Sequence, residues 1–191
     1  MNSPMESWPR KHLITVDEYR KMAEVGLLAP DARVELIEGE IIDMAPISNL
    51  HASVLNQLNR LLVIAIGNKA IVQPQGPILF NNHSMVHPDL ALLEWNRTFY
   101  SAGPPMPMDT LLVVEVSDGT VAHDRQTKIP LYARHGIPEA WIVDLQELAL
   151  RVYRSPLRSG YQDEQVTKKL GIIHPVKLPD VGIDLSDLLT P

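Results

Sequence analysis

Two almost uninterrupted apolar runs, Val86 to Leu93 and Leu111 to Ser117, each enclose a carboxylate, Asp89 in the first and Glu115 in the second. Strands that are apolar on both faces belong in the middle of a covered sheet, which constrains the chain to a layered α/β arrangement. Alternation along a strand puts Asp89 on one face with Ala91 and Leu93, and Glu115 on one face with Leu111 and Val113. Two acids are thereby carried toward a dry interior.

A buried carboxylate without a partner is costly and usually takes up a proton, whereas two or three that converge on a cation are compensated. The chain has no cysteine, so a metal here would sit on oxygen or imidazole. Mg²⁺ fits best, with Mn²⁺ as the alternative, because it is held by one or two carboxylates and keeps water for work on a phosphate. The competing reading leaves both acids at strand ends in solvent, as structural ion pairs. Lys128 follows on the next predicted helix with Asp124 one turn before it, so its ammonium can point back toward the acids. It would orient or activate water or offset charge on a phosphorane-like transition state; the alternative is a solvated lysine paired with Asp124.

The surrounding pattern supplies a scaffold. Thr15-Val-Asp-Glu18 has the form of a capping box and predicts a first short helix. Arg33 to Met44 alternates about Glu38-Gly39 as a hairpin. Ser48 to Ile66 repeats apolar residues at helical spacing up to Gly67. Strands are expected over Ile71 to Phe80, Val86 to Leu93 and Leu111 to Ser117. A helix follows from Asp124 to His135, with Pro130 kinking it or marking a late start. Glu139 to Asp144 and Leu148 to Arg154 read as a second hairpin, with a weak strand near Val166 and a last apolar turn at Leu185 to Leu189. The expected organisation is a flexible N-terminal segment, residues 1–12, and a single domain over residues 13–191.

At these residues a family resemblance becomes specific. Pro88-Asp89 followed by Val-Val-Glu115-Val is similar to the PD-(D/E)XK nuclease pattern, although Ser117 stands where its lysine usually lies. Asp124-Arg-Gln-Thr-Lys128 through Tyr132, Gly136, Glu139 and Trp141 to Asp144 resembles the Uma2-like branch, in which the lysine sits on the following helix. The likeness runs from Leu13 to Leu189. It implies an α/β (α+β) restriction-endonuclease-like fold with an αβββαβ core, a mixed central sheet, flanking helices and an N-terminal helix plus β-hairpin. It also implies Mg²⁺-dependent hydrolysis of DNA phosphodiester bonds, with Asp89, Glu115 and Lys128 catalytic and Asp89, Glu115 and Glu35 on the metal. Glu35 on an exposed hairpin would instead be merely solvated. A non-catalytic nucleic-acid or protein-binding module on the same fold is the second reading, and an enzyme acting on a small phosphorylated substrate the third.

Other residues are weighed against plainer roles. His51 shares a helical face with Leu55, Leu58 and Leu62 and is expected as a core histidine that reaches at most the edge of the site. Gln126 would touch a metal water or phosphate, or stand exposed. Arg125 and Arg134, with Lys128, are candidate nucleic-acid contacts, and Arg151, Arg154 and Arg158 form a second group. His83 and His87 lack a third zinc ligand and read as loop and strand-edge residues. Trp95, Phe99 and Tyr100 would anchor a loop, meet a second copy or stack on bases. The net charge of −6 argues against a surface that is basic throughout and requires local contacts for any nucleic acid. No signal-peptide core or membrane-length apolar run is present, so a cytoplasmic protein is expected. A homodimer would set two sites on two strands.

Overall fold

The computed structural model describes residues 11–189. Of the N-terminal segment 1–12, only Lys11 and His12 fall within them, paired with Glu40 at 2.8 Å and Glu18 at 3.5 Å. Thr15 caps α1 (Val16–Glu24) through the expected capping box, its hydroxyl accepting the Glu18 amide while the Glu18 carboxylate accepts the Thr15 amide. β1 (Val34–Ile37) and β2 (Glu40–Asp43) pair around Glu38 and Gly39, both left-handed at φ 50° and 82°. A Cβ at Gly39 would stand 2.5 Å from Leu13 Cβ, so the turn accepts glycine alone. Ser48 caps α2 (Asn49–Ile66), which Gly67 ends.

The next two strand predictions need correction, because each run divides in two: β3 (Ile71–Pro74) and β4 (Ile78–Asn81), then β5 (Ser84–Val86) and β6 (Leu90–Leu93). β3 and β6 pair in a six-stranded sheet, whereas β4 and β5 pair in a four-stranded one ordered β2-β1-β5-β4. The chain turns out of the larger sheet at Gln75, which takes φ 48°, and returns through His87-Pro88-Asp89. Pro74, Pro77 and Pro88 cannot donate to a continuous ladder, which is why the corners fall there.

β7 (Thr110–Ser117), β8 (Glu139–Asp144), β9 (Ala149–Leu157) and β10 (Gly160–Thr167) complete the larger sheet in the order β10-β9-β8-β7-β6-β3. Among the described strands only β7 and β8 run parallel. Their crossover comprises α3 (Val121–His123), a π-helical turn at Asp124–Lys128 and α4 (Ile129–Arg134). The helical segment therefore begins before Asp124, while its last α-helical part, α4, starts late with Pro130 in its first turn. Ile129 N–H reaches back to Asp124 O, so the ladder is already widened where the missing proline amide would interrupt it. A short pair, β11 (Ile172–Ile173) with β12 (Ile183–Asp184), closes the chain.

Apolar side chains fill both faces of the larger sheet, as the continuous runs require. Leu55, Leu58 and Leu62 of α2 meet Leu90, Leu92, Val114 and Trp141, with Ile183 and Leu185 beside them. On the other face Ile129 and Tyr132 meet Ala91, Val113 and Ile142. Each fully buried leucine contributes roughly 1.5–3 kcal/mol. Strict alternation fails at one place: Leu93 pairs with Thr110 and Leu92 with Leu112, so Leu111 is a bulge and packs on the α2 side rather than beside Val113 and Glu115. The architecture is the expected mixed α+β one. Among the described residues no helix is long and apolar enough to cross a membrane.

Candidate active site

Leu90 pairs with Val114 in antiparallel register, which sets Asp89 opposite Glu115 where β6 enters the sheet. The hairpin brings Glu35 to the same place, and the π-helical turn brings Lys128. All four are buried, at 7% (Asp89), 3% (Glu115), 1% (Glu35) and 5% (Lys128) exposure, so the solvated alternatives for the three acids and the lysine do not hold.

The buried groups satisfy one another. Lys128 Nζ lies 3.2 Å from Glu35 Oε2 and 3.3 Å from Glu115 Oε2. The Tyr132 hydroxyl donates to Glu115 Oε1, and the His87 amide donates to Glu35 Oε1 at 2.7 Å. Asp89 Oδ2 accepts the Val116 amide at 2.9 Å and faces His51 Nε2 at 3.1 Å. Asp124 does not pair with Lys128; its Oδ2 accepts the hydroxyls of Ser117 at 2.6 Å and Thr120 at 3.0 Å, which fixes the start of the crossover on the end of β7. Ser117 thus holds the helix that carries the lysine, although it stands in the lysine's usual place.

Burial pushes the Glu115 carboxyl well above the ordinary carboxylate range; the Lys128 ammonium opposes this, while Asp124, Asp89 and Glu35 add to it. Burial pulls Lys128 down, but Glu115 and Glu35 outweigh it and keep the ammonium charged. The hydrogen bond to Asp89 raises His51, and burial lowers His87. Burial, then Glu115, raises the Tyr132 phenol.

These groups open on a cavity of about 310 Å³, lined also by Arg33, Asp43, Asp118 and His123 and by the segment Ile42 to Ile47. His51 is half-buried on this cavity rather than a core residue, and its Nδ1 finds no partner among the described residues. The helical face that suggested a core position ends at the N-terminal turn of α2, where His51 looks past the apolar residues. Gln126 is exposed and does not line the cavity. Arg125 lies 3.4 Å from Glu164, and Arg134 lies 2.6 Å from Glu38, both away from the cavity. Arg151 and Arg154 face Asp144 and Glu139, and Arg158 is exposed. His83 binds the Ile14 carbonyl. Trp95 and Phe99 form an edge-to-face pair on a loop that the Tyr100 hydroxyl anchors to the Glu94 carbonyl.

Tyr132, Ser117 and Thr120 escaped the sequence reading as site residues. Tyr132 carried a usable signal, since it stands four residues after Lys128 on the same helical face. Arg33, Asp118 and His123 carried none, because loops bring them to the cavity.

Among the described residues no three acidic or imidazole side chains are already gathered as a metal cage. The donors are instead spread around an ammonium. A family model described as "Uma2: Putative restriction endonuclease" matches residues 16–186. The crystal structure of "a putative nuclease belonging to DUF820" from Anabaena variabilis is similar to this chain with a TM-score of 0.69 at 20% identity, covering 93% of this chain and 98% of that one. At that identity the likeness is one of fold. No curated protein matches.

Proposed function

This chain belongs to the Uma2 family, and from that premise we propose that it is a metal-dependent nuclease that hydrolyses DNA phosphodiester bonds, with Asp89, Glu115 and Lys128 at its centre. The observation that carries this reading is the Lys128 ammonium held between Glu35 and Glu115 beside Asp89. Carboxylates this deeply buried need a cation. The donor set fits Mg²⁺, or Mn²⁺, which takes one or two protein carboxylates and completes its sphere with water. Asp89 and Glu115 would hold it, with Glu35 as the further carboxylate. The ion supplies polarisation of the phosphoryl oxygens and a more acidic water.

The chain's own groups do the rest. Lys128, charged and buried, would offset the negative charge that grows on the phosphoryl oxygens as water adds. The water oxygen forms a new P–O bond and the ester P–O bond breaks; one water proton passes to the departing oxygen, and the new phosphate acid group loses the other. Tyr132 and the Val116 amide keep Glu115 and Asp89 in place throughout. The internal pairing of Arg125 and Arg134 weighs against a non-catalytic module that grips nucleic acid by charge.

The test is cleavage of supercoiled plasmid and of single- and double-stranded oligonucleotides with Mg²⁺, Mn²⁺ or EDTA, comparing the native chain with Asp89→Ala and Lys128→Ala. Metal-dependent cutting that both variants lose supports the reading. A folded native chain that cuts none of these with either metal overturns it.

A further inference from the structure

The segment from Ile42 to Ile47, which runs from the end of β2 toward α2, forms one wall of the cavity and is anchored where the Met44 amide donates to the Arg33 carbonyl at 2.8 Å and at two further points. The Arg33 guanidinium donates to the Ala45 carbonyl at 2.7 Å, and the Ser48 hydroxyl donates to Asp118 at 2.6 Å, which ties the end of the segment to the turn after β7. Beyond the exposed Asp43 at its start, its residues are apolar: Met44 is half-buried, and Ala45, Pro46 and Ile47 are exposed, Ile47 at 43%. An exposed, anchored apolar lip beside a floor of carboxylates has no evident use in holding the fold. It does suit a ligand with a charged end and a flat apolar body.

Electrostatics narrow the ligand further. Six carboxylates line the cavity (Glu35, Asp43, Asp89, Glu115, Asp118 and Asp124) against two side chains that are always cationic, Arg33 and Lys128. Arg125, Arg134 and Arg154 are paired with the chain's own acids, Glu164, Glu38 and Glu139, and among the described residues no lysine or arginine besides Arg33 and Lys128 lines the cavity. A long duplex would find no basic track here. The cavity volume of about 310 Å³ lies near the lower end of small-molecule pockets, roughly 300–1,000 Å³.

Building on the nuclease reading, we infer that the cavity admits one unpaired nucleotide at a time, with its phosphate over Asp89 and Glu115 and its base and sugar against the Met44–Ile47 lip. The substrate class is therefore single-stranded or frayed nucleic acid, not continuous duplex. Arg33 and His123 line the same cavity and would be the groups to meet the neighbouring phosphates. An unpaired base exposes a face that an apolar lip can cover, whereas a paired base must first be unstacked at a cost.

The experiment measures cleavage with Mn²⁺ on one sequence presented as a single strand, as a duplex with an unpaired flap and as a blunt duplex, by the native chain and by Ile47→Ser. The expected order is single strand and flap ahead of blunt duplex by about tenfold or more, with KM for the single strand about tenfold higher in Ile47→Ser at unchanged kcat. The slope of log kcat/KM against log salt for the native chain should be no steeper than about −1.4, the value for two phosphate contacts on a single strand. Because Ile47 is exposed, the variant should fold, and circular dichroism checks that it does. Blunt duplex cut as fast as single strand, an unchanged KM in the folded variant, or a steep salt slope overturns this inference and leaves the nuclease reading standing. If none of the three substrates is cut, both fall.

Discussion

His51 Nε2 lies 3.1 Å from Asp89 Oδ2, the same oxygen that accepts the Val116 amide at 2.9 Å, so one side of the carboxylate is fully engaged and the other is left for the cavity. A helix residue on one face of the sheet thus sets the orientation of a strand-end acid. Outer partners of this kind commonly account for a 10–100-fold change in metal affinity. His51→Ala is therefore expected to weaken Mn²⁺ binding by about tenfold or more, measured by titration calorimetry, while thermal unfolding of the metal-free protein changes little. Unchanged affinity would show that Asp89 is oriented by the Val116 amide alone.

Lys128 stands between Glu35 and Glu115 as a resident cation, and Lys128→Met removes it while keeping the length of the stem. Two buried carboxylates then face each other without compensation, a loss of about 3–5 kcal/mol for the metal-free chain. A divalent ion can replace the ammonium, so Mg²⁺ should raise the melting temperature of Lys128→Met more than that of the native protein. Equal Mg²⁺ shifts in the two proteins would place the ion away from Glu35 and Glu115.

Much of this centre was legible in the sequence, for one physical reason. Asp89 and Glu115 interrupt apolar runs, and a charge where periodicity demands burial is visible without a structure. Lys128 was legible through its place on the helix after Glu115, which pointed its ammonium back toward the acids; the alternative pairing with Asp124 does not hold, because Lys128 meets Glu35 and Glu115 while Asp124 turns to Ser117 and Thr120. Tyr132 was not singled out, since an aromatic on an amphipathic helix is usually core; it is buried, with its hydroxyl turned to Glu115. The hairpins, α1 and α2 followed from caps and alternation. The split of the two long strands did not, since an apolar run reads the same whether it stays in one sheet or crosses into another, and only Pro74, Pro77 and Pro88 marked the corners.

Metal uptake should depend on pH through Glu115. Its carboxyl is held above the ordinary value of 4.5 chiefly by burial, so the metal-free site keeps a proton over a range where a free glutamate has lost it. The sign follows: the ion binds the ionised form and displaces that proton, so affinity rises as pH climbs above 4.5 and levels off once Glu115 is ionised in the free protein. The same raised value makes ionisation of Glu115 in the metal-free fold a cost that grows with pH, because the unfolded chain then holds fewer protons than the native one. Calorimetry in two buffers of different ionisation enthalpy should register proton release on binding, and its absence would assign the raised carboxyl no part in metal capture.

Glu139 separates the scaffold from the centre. It is wholly buried, yet it faces away from the cavity, and its carboxylate accepts the Trp141 indole N–H at 2.9 Å, the Arg154 Nε–H at 2.9 Å and the Val176 amide at 2.7 Å. Arg154 also donates to the His174 carbonyl at 3.1 Å, so this one ion pair fastens the C-terminal segment across β8 and β9. Arg154→Ala leaves a buried charge with two neutral donors, a loss of about 3 kcal/mol. For a chain of this size that corresponds to a melting temperature lower by roughly 6–12 °C. Metal affinity and the pH dependence of binding should stay at native values, because no residue of this cluster touches Asp89, Glu115 or Lys128. A variant that melts early but binds Mn²⁺ normally would establish that stability and metal capture are carried by separate buried charge clusters, whereas a parallel fall in affinity would mean that the C-terminal segment holds the site together as well as the fold.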